Sequence, residues 1–476
     1  MIISNGDERK RQAKERIEEI KKDQNIRFIK CLGADMQGHI REVTAYYPRD
    51  SDDIDVRNIG VDGSVLFSQI IMTTESDMVF VPDLSTLRKI PWTSDTALVI
   101  CDLYYPPEKE GEPLKPFEGC TRGILKKLVR KMERNLPKYI KKVQPERKIK
   151  NFWAAFAPEL EFLLVRKDYD YTKIHLADLK NNHYFRTLAG ECDEILKEIV
   201  VYLGKLGVKP EKYHTEVAGL QYEINIELSD ILSSADNVVI MMYVINAVAK
   251  KHGYRFSLIP KFNENVNGSG KHIHENIFAM EEIDGVYQQV NVFYDKRTKD
   301  GASYIMRSYT AGNLKYGREY TLLTNPAPIS FKRFTKKAEA PEDLFFGWKD
   351  RTAFARGHMK GTKKIRTEIR SADGLSNPYS SCAAHLAAGL AGIEEGLVLE
   401  MHKGHGYYNY GKENRLPLHF GEALTLMYKS KMLRKYLGNF LIDSLFTLGG
   451  IVWHKECTQI TDRDIVENFP FDVEEQ

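Results

Sequence analysis

Four short stretches of this chain alternate charged and apolar residues, and this alternation constrains the possible fold more than any other sequence feature. The stretch FAPELEFLLV, residues 156–165, is apolar except for Pro158, Glu159 and Glu161. Residues i and i+2 of a strand point to the same face, so both carboxylates lie on one face of a buried strand. Two carboxylates on an apolar surface repel each other and lose hydration, and they therefore require a cation beside them.

Three further stretches repeat the pattern: LQYEINIEL at 220–228, NGSGKHIHEN at 267–276 and KKIRTEIRSADG at 363–374. Just before the first of these, HTEVAG supplies Glu216 ahead of a glycine turn. The polar residues that share a face are Gln221, Glu223, Asn225 and Glu227, then His272 and His274, then Lys364, Arg366, Glu368 and Arg370. One such strand is ordinary in an antiparallel sheet with one wet face, but four with carboxylates, histidines and arginines indicate a shared site.

If these polar faces converge, carboxylates, imidazoles and guanidiniums meet in one place. Such a mixture suits two hard divalent cations with polyphosphate and carboxylate groups between them. Oxygen-rich ligation with one histidine favours magnesium or manganese over zinc. Arginines would neutralise the charge of a transferred phosphoryl group. The periodicity therefore predicts a metal-dependent phosphoryl-transfer site on the concave face of a sheet.

Length and composition indicate the number of domains and the class of protein. A chain of 476 residues exceeds the size of a single core, and we expect an N-terminal domain at 1–110 and a larger domain at 111–476. The Pro- and Gly-rich segment 106–119 is the predicted linker. A net charge of +3 gives no case for nucleic acid, and six scattered cysteines favour reduced thiols and a cytoplasmic protein. We see no signal-peptide core and no run of about 20 apolar residues, so no membrane association is expected.

Seven stretches, taken in order from about Val61 to Lys435, resemble the glutamine synthetase family, nearest its long bacterial and archaeal type. They are VDGS with ESDMVFVPDLSTLRKIPW, APELEF, HTEVAGLQYEI, NGSGKHIH, TNPAPISFKRF, KIRTEIRSADGLSNPY and AAHLAAGLAGI. The resemblance implies an α+β fold, with a small N-terminal β-grasp-like domain and a large catalytic domain whose curved antiparallel sheet is flanked by helices. It also implies ATP, two or more Mg²⁺ (or Mn²⁺) ions per active site, and small-molecule substrates. The implied assembly is a homododecamer of two hexameric rings with active sites between subunits.

The resemblance assigns a role to each matching residue. One metal would be held by Glu161, Glu216 and Glu223, and the other by Glu159, His272 and Glu368. Nucleotide phosphates would contact His274, Arg356, Lys363 and Arg366. Glutamate and the acyl phosphate would contact Asn267, Gly268, Arg333, Arg351 and Arg370, with Tyr184 lining the amine pocket. Asp62, from a neighbouring subunit, would take a proton from ammonium, and Glu339 would lie on the flap that closes over the intermediate.

The implied reaction joins ammonia to the γ-carboxylate of L-glutamate through a γ-glutamyl phosphate, giving glutamine, ADP and phosphate for nitrogen metabolism. Val65 stands where many members have serine, Ala338 replaces the usual tyrosine, and Leu220 replaces a turn glycine. The alternative is therefore a γ-glutamylamide ligase that uses a polyamine, ethanolamine or an aromatic amine. Retention of Asp62 and Glu339 favours ammonia. Two other classes of protein are less consistent with the sequence. A non-catalytic paralogue should have lost metal ligands, and all six predicted ligands are present. A guanidino phosphotransferase would need a reactive cysteine in these segments, and none lies there.

Overall fold

The computed structural model describes residues 6–47, 58–169, 184–188, 190–334, 340–399, 405–407 and 414–460. Its α-helices are α1 Gly6–Lys22, α2 Gly63–Leu66, α3 Thr121–Val143, α4 Glu191–Lys205, α5 Ile231–Lys251, α6 Tyr304–Thr324, α7 Pro378–Glu394, α8 Phe420–Lys429, α9 Lys431–Leu437 and α10 Asn439–Thr458. Its first strands are β1 Phe28–Ala34, β2 Ile40–Tyr46, β3 Ile59–Asp62, β4 Asp77–Lys89, β5 Thr96–Tyr105 and β6 Lys115–Pro116. The later strands are β7 Ile149–Arg166, β8 Pro210–Thr215, β9 Gln221–Ile226, β10 Ser229–Asp230, β11 Tyr254–Ser257, β12 Lys271–Ile283, β13 Val286–Asn291, β14 Phe345–Trp348, β15 Ala355–His358, β16 Arg366–Ile369 and β17 His405–Tyr407.

The N-terminal strands form one sheet in the order β2-β1-β5-β4-β3, with β6 paired to β5. Strands β1 and β5 are parallel, and the other pairs are antiparallel. Ile29 and Cys31 of β1 are fully buried and join Val99 of β5 in the core. This sheet fits the expected β-grasp-like domain. Part of the predicted linker belongs to it, since Lys115–Pro116 pairs with β5.

The second sheet carries the alternating stretches found in the sequence. Its strand order is β17-β14-β15-β16-β12-β7-β9-β8, with β10 and β11 paired to β7 and β13 paired to β12. The sheet curls into a half-barrel. One pair, β14 with β15, is parallel, so the sheet is mixed where a purely antiparallel one was expected. Helices α3, α5 and α6 pack against its strands, and α7 packs against these helices. The expected α+β fold is confirmed.

Helix α5 requires a correction to the expectation about apolar runs. At 21 residues and a mean hydropathy of 1.6 it is long and apolar enough to cross a membrane, by length and composition alone. In the structure 67% of that apolar window is buried inside the protein, where α5 packs under β7. A core helix of a soluble protein meets the same criteria, so α5 gives only weak grounds for a membrane span.

Arg122, at the start of α3, ties the two sheets together. Its guanidinium contacts Asp83 of β4 at 2.7 Å, Asp102 of β5 at 2.9 Å and Asp236 of α5 at 2.8 Å. Arg122 is only 2% exposed, and each of the three carboxylates is also shielded. Burial acts to raise the pKa of Asp83, but Arg122, Lys126 and Arg9 hold that pKa well below its usual range. The N-terminal sheet is thus anchored to the helices beneath the second sheet.

A second contact joins the domains at the β1–β2 turn. Asn377, at the start of α7, donates from its amide to the carbonyl of Asp35 at 2.9 Å. A Cβ on Gly38 would lie 2.7 Å from Cα of Asn377, and Gly38 has a φ of +95°, so glycine is required there. The Asp35 carboxylate closes the turn by accepting from Arg41 at 2.8 Å and from the ring of His39 at 3.0 Å.

Candidate active site

Adjacent strands of the second sheet bring the predicted polar faces together. Strand register places Glu161 of β7 opposite Glu223 of β9, and Glu159 opposite His272 of β12. On the other side of β12, His274 lies opposite Glu368 of β16. Because cross-strand partners share a face, residues from distant parts of the chain meet on one surface of the sheet.

Glu159, His272 and Glu368 form the first cluster. A ligand atom from each lies within 4.8 Å of the others. Nδ1 of His272 is 3.8 Å from Glu159, 3.8 Å from Glu368 and 3.7 Å from Glu161. These separations allow the three predicted ligands of one cation to meet at a common point.

The second cluster differs in part from the predicted set. Glu216 and Glu223 group with His214, which lies 3.4 Å and 3.3 Å from them and was missed by the sequence reasoning. Glu161 lies beside this cluster and accepts from the side chain of Gln221 at 2.9 Å and from the backbone N–H of Gly270 at 2.8 Å. A signal for His214 existed, since it stands two residues before Glu216.

Two arginines and a histidine surround Glu368 at the other end of the site, and burial lowers the pKa of the histidine, His358, to about 4. Arg356 contacts Glu368 at 3.2 Å, His358 at 2.5 Å, and Arg370 forms an ion pair with its second oxygen. His358 was also missed by the sequence reasoning, although it follows Arg356 at the i+2 spacing of a common strand face. The predicted strand was slightly too long, because Lys364 and Arg370 flank β16 and lie outside it.

His274 and Arg366 complete this end. Nε2 of His274 lies 3.0 Å from Glu159, and Arg366 donates to Nδ1 of His274 at 3.2 Å. Lys363 is exposed in the turn before β16, and only its carbonyl has a described contact, with Asn291 at 3.0 Å. Three of the four predicted nucleotide residues therefore adjoin the cluster directly.

A small cavity lies beside the carboxylates. Its walls include Glu161, Glu216, Asn267, Gly268, His272 and Arg333. Arg333 is 2% exposed and donates to Asn325 and to the carbonyl of Ser371. A Cβ built on Gly268 would lie 2.2 Å from Cγ of Arg333 and 2.6 Å from the carbonyl oxygen of Pro260, so only glycine leaves room here.

Tyr184 and Arg351 interact with each other, and Tyr184 lies close to Glu216 of the cavity wall. The guanidinium of Arg351 interacts with Tyr184, whose pKa is raised by burial and shaped by the nearby charges of Arg351 and Glu216. The carbonyl of Arg351 accepts from Nε of Arg370 at 2.9 Å. The rings of Tyr184 and His214 meet edge to face at 5.7 Å. The predicted substrate residues thus occupy one neighbourhood.

Asp62, a predicted catalytic residue, lies apart from this cluster. Asp62 is exposed at the end of β3, and its carboxylate accepts from the backbone and side chain of Ser64 at 2.8 Å and 2.7 Å. Those hydrogen bonds lower the pKa of Asp62. Within the described ranges, the hydrogen-bond partners of its carboxylate are Ser64, Val65 and Ser76 of the N-terminal domain. Glu339 and Ala338 lie outside the described residues.

Burial and local charge set the protonation of the carboxylates. Burial acts to raise the pKa of Glu368, but His358 and Arg370 hold it well below its usual range. Burial likewise acts against ionisation of Glu159, and hydrogen bonds with His272 and His274 keep its pKa low. Burial raises the pKa of Glu161, which lies among fewer cations. Local charge therefore favours the ionised form of Glu159 and Glu368, whereas burial makes Glu161 easier to protonate than a free glutamate.

The residues present fit divalent cations and an anionic phosphate. Carboxylates and imidazoles are ligands for Mg²⁺ or Mn²⁺, and they lie within coordination reach of common points. At the Arg356 end, one buried N–H group of Arg370 and Nε of Arg356 have no hydrogen-bond partner among the described residues. Buried donors normally have partners, so these two are aimed where an anionic oxygen would satisfy them.

Comparisons with known proteins agree along nearly the whole chain. The family model described as "Glutamine synthetase, catalytic domain" matches residues 119–466, and "Glutamine synthetase, beta-Grasp domain" matches residues 25–106. The glutamine synthetase of Staphylococcus aureus strain N315 is 30% identical over 461 residues, covering 94% of this chain and 96% of that protein. The glutamine synthetase of Methanocaldococcus jannaschii is 29% identical over 466 residues, covering 94% and 95%.

Solved structures show the same fold. GmaS without ligand superimposes with a TM-score of 0.77 at 22% identity, covering 95% of this chain and 99% of that chain. The GmaS complex with ADP gives the same values. At this identity the likeness establishes the fold and nothing about the substrate. The two family models together span far more than half of the sequence. This chain belongs to the glutamine synthetase family, and it is an ATP-dependent ligase of the glutamine synthetase kind.

Proposed function

We propose that the chain joins ammonia to the γ-carboxylate of L-glutamate through a γ-glutamyl phosphate, releasing glutamine, ADP and phosphate in the cytoplasm. The observation that carries the proposal is the convergence of five carboxylates and His272 beside two arginines, each with a buried N–H group that has no partner among the described residues. A carboxylate does not react with an amine at neutral pH, so it must first be activated. Phosphoryl transfer needs little covalent chemistry from the protein and depends on position and charge, which such a site supplies.

The proposed roles follow the two ends of the site. Two Mg²⁺ or Mn²⁺ ions, when bound, would neutralise charge on the transferred phosphoryl group. The residues that would hold them are Glu159, Glu161, Glu216, Glu223, His272 and Glu368. The nucleotide phosphates would lie against His274, Arg356, Lys363 and Arg366. Glutamate and the acyl phosphate would lie against Asn267, Gly268, Arg333, Arg351 and Arg370, with Tyr184 at the amine side.

Deprotonation of ammonium needs a carboxylate beside the acyl phosphate. We assign it to Asp62, whose exposed position in the N-terminal sheet suits service to the site of a neighbouring subunit. Glu339, on the closing flap, would keep water from the intermediate. The proposed assembly is a dodecamer of two six-membered rings.

An organic amine is the second candidate nucleophile. Val65, three residues after Asp62, is 69% exposed, and Met72, ten residues after Asp62, is 72% exposed. An apolar surface beside the proposed proton acceptor favours an alkyl or aromatic amine more than a serine would. Retention of Asp62 keeps ammonia as the first candidate.

The first experiment measures phosphate release from ATP and Mg²⁺ with glutamate, across ammonium, hydroxylamine, putrescine, ethanolamine and aniline. Release that depends on ammonium, with glutamine as product, supports the synthetase proposal. Release only with an organic amine assigns the protein to the γ-glutamylamide ligases, and Val65→Ser should then shift activity towards ammonium. If an intact oligomer releases no phosphate with any of these amines, the protein is a non-catalytic paralogue.

Shared sites can be tested by mixing two inactive variants. Asp62→Asn and Glu161→Gln would each abolish activity in a homo-oligomer. If Asp62 serves its neighbour, random co-assembly of the two recovers about a quarter of the wild-type activity, because one pairing in four supplies both intact residues. No recovery from verified mixed oligomers would place Asp62 in its own subunit's site, or outside the reaction.

A further inference from the structure

The histidine at position 358 brings an imidazole to the cluster that the predicted ligand sets did not include. Strands β15, β16 and β12 are consecutive neighbours in the sheet. They carry His358, Glu368 and His274 respectively, and Glu368 lies opposite His274. All three side chains therefore reach the same surface.

These three residues satisfy the geometry of a cation site. One ligand atom from each lies within 4.8 Å of the others. The His358 and His274 rings meet edge to face with centroids 4.7 Å apart, and Nε2 of His358 reaches Glu368 at 2.5 Å. Glu159 adds a carboxylate oxygen 3.0 Å from Nε2 of His274. Separations near 3 Å are those of neighbouring ligands around a metal bound at about 2.1 Å.

We propose that His274, His358 and Glu368 form a further cation position that takes a transition-metal dication such as Mn²⁺ or Co²⁺ more tightly than Mg²⁺. The proposal rests on the proposed function for placing this position at the nucleotide-phosphate end of the site. Two imidazoles replace the oxygen ligands that Mg²⁺ prefers, and nitrogen ligands favour the later divalent metals. The cluster of His214, Glu216 and Glu223 offers one imidazole and two carboxylates, so its preference for the later metals is weaker.

Guanidinium groups already occupy the surroundings of this position. Arg366 donates to Nδ1 of His274, and Arg356 contacts the oxygen of Glu368 that also meets His358. Both arginines are half-buried, so they have room to turn towards a phosphate when a dication takes their place. A dication that takes the place of an arginine would still compensate the buried charge of Glu368.

The test is a titration of the full-length protein with Mn²⁺, followed by the electron paramagnetic resonance of free Mn²⁺, and with Co²⁺, followed by its visible absorbance. Neither measurement needs substrate or turnover. The variants are His358→Gln and His358→Asn, so that one misfolded protein does not decide the outcome. The matched control is His252→Gln, because His252 also meets a glutamate, Glu198 at 2.7 Å, but lies outside the site.

We expect wild type and His252→Gln to bind one more Mn²⁺ per subunit than either His358 variant, or to bind it at least roughly tenfold more tightly. Competing Mg²⁺ should displace that ion less readily than the others. Equal stoichiometry and affinity in wild type and both folded His358 variants would overturn the proposal, as would an equal loss in the His252 control. The amine panel, measured with Mg²⁺ alone, tests the proposed function separately. The proposed cation position can therefore be wrong while the proposed function holds, and the reverse.

Discussion

At the scale of single residues, the site depends on close approaches that tolerate little change. Gly268 is the clearest case, because its Cα faces both the side chain of Arg333 and the carbonyl of Pro260. Arg333 is fully buried and held by fixed backbone and amide acceptors, so it has no space into which to retreat.

We therefore predict that Gly268→Ala displaces Arg333 and raises the KM for glutamate at least tenfold, while nucleotide affinity changes little. Overpacking of this kind also costs about 1–3 kcal/mol of stability. Steady-state kinetics and a nucleotide titration measure the two effects. Gly204→Ala is the matched control, because nothing lies within 4 Å of its added Cβ and the position is helical. A variant at 268 with unchanged KM for glutamate would remove Arg333 from the glutamate site.

The site residues that the sequence predicted and those that it missed differ in the type of residue that stands two positions away. Glu159 with Glu161, and His272 with His274, were predicted because two chemically similar groups stood at the i+2 spacing of a strand. His214 and His358 were missed because each pairs at that spacing with a residue of another type, Glu216 or Arg356. The grouping of His214 with two carboxylates depends on the β8–β9 register, which no single stretch encodes.

At the scale of elements, the turn between β8 and β9 sets the spacing of Glu216 and Glu223. Leu220 lies in this turn with a φ of +63°, in the left-handed region that a leucine rarely adopts. The departure noted in the sequence, leucine in place of glycine, therefore changes the residue and keeps the backbone shape. Sequence patterns show such a substitution but do not show that the backbone retains its conformation.

We predict that Leu220→Asn is more stable than Leu220→Val by about 1 kcal/mol, because asparagine tolerates a positive φ and a β-branched residue does not. Asparagine keeps less apolar side chain than valine, which by itself would make it the less stable variant, so a more stable asparagine variant reports the backbone effect. Thermal unfolding of the two variants measures the difference. The reverse order of stability would show that φ at this turn relaxes when the leucine is removed.

The β1–β2 turn gives a pH-dependent contact. Burial acts to raise the pKa of Asp35, but His39 and Arg41 lower it overall, and the hydrogen bond with Asp35 raises the pKa of His39. The contribution of Asp35 is present above its unfolded pKa of about 3.9 and is lost as pH falls through its lower folded value. The contribution of His39 is present below its unfolded pKa of about 6.5 and is lost as pH rises through its higher folded value.

We expect the difference in melting temperature between wild type and His39→Gln to be largest at about pH 5 to 6 and to shrink as the pH rises towards 9. A series of thermal melts in matched buffers measures it. His454→Gln is the control, because His454 is an exposed histidine on α10, far from Asp35 in the sequence. A His39 difference that grows with pH would contradict the ion pair.

At the scale of the whole molecule, the domains are joined through a few buried charges. Arg122 neutralises Asp83 and Asp102 of the N-terminal sheet together with Asp236 of α5. Removing the guanidinium leaves carboxylates buried without compensation, which costs far more than the loss of an exposed pair. The position of the N-terminal sheet, and hence of Asp62, depends on this contact.

We predict that Arg122→Gln destabilises the protein by about 3–5 kcal/mol and speeds amide exchange in β4 and β5. Arg166→Gln is the control, because that arginine is 60% exposed and pairs with the exposed Asp168, so its change should stay below about 1 kcal/mol. Urea unfolding and hydrogen exchange provide the measurements. Equal effects at the two positions would show that water compensates the three aspartates.

The order of strands in the second sheet also determines when the site can form during synthesis. Strand β12 pairs with β7 on one side and with β16 on the other, so Glu159 and Glu368 meet only across about 200 residues of chain. At ordinary elongation rates, β7 has left the ribosome about 10–40 s before β16 is made. During that interval the cluster lacks Glu368 and Arg370, which arrive only with β16 and the residue after it. A nascent chain should therefore exclude Glu159 and Glu161 from a dry core, and the sheet should close late, once its last paired strands have emerged.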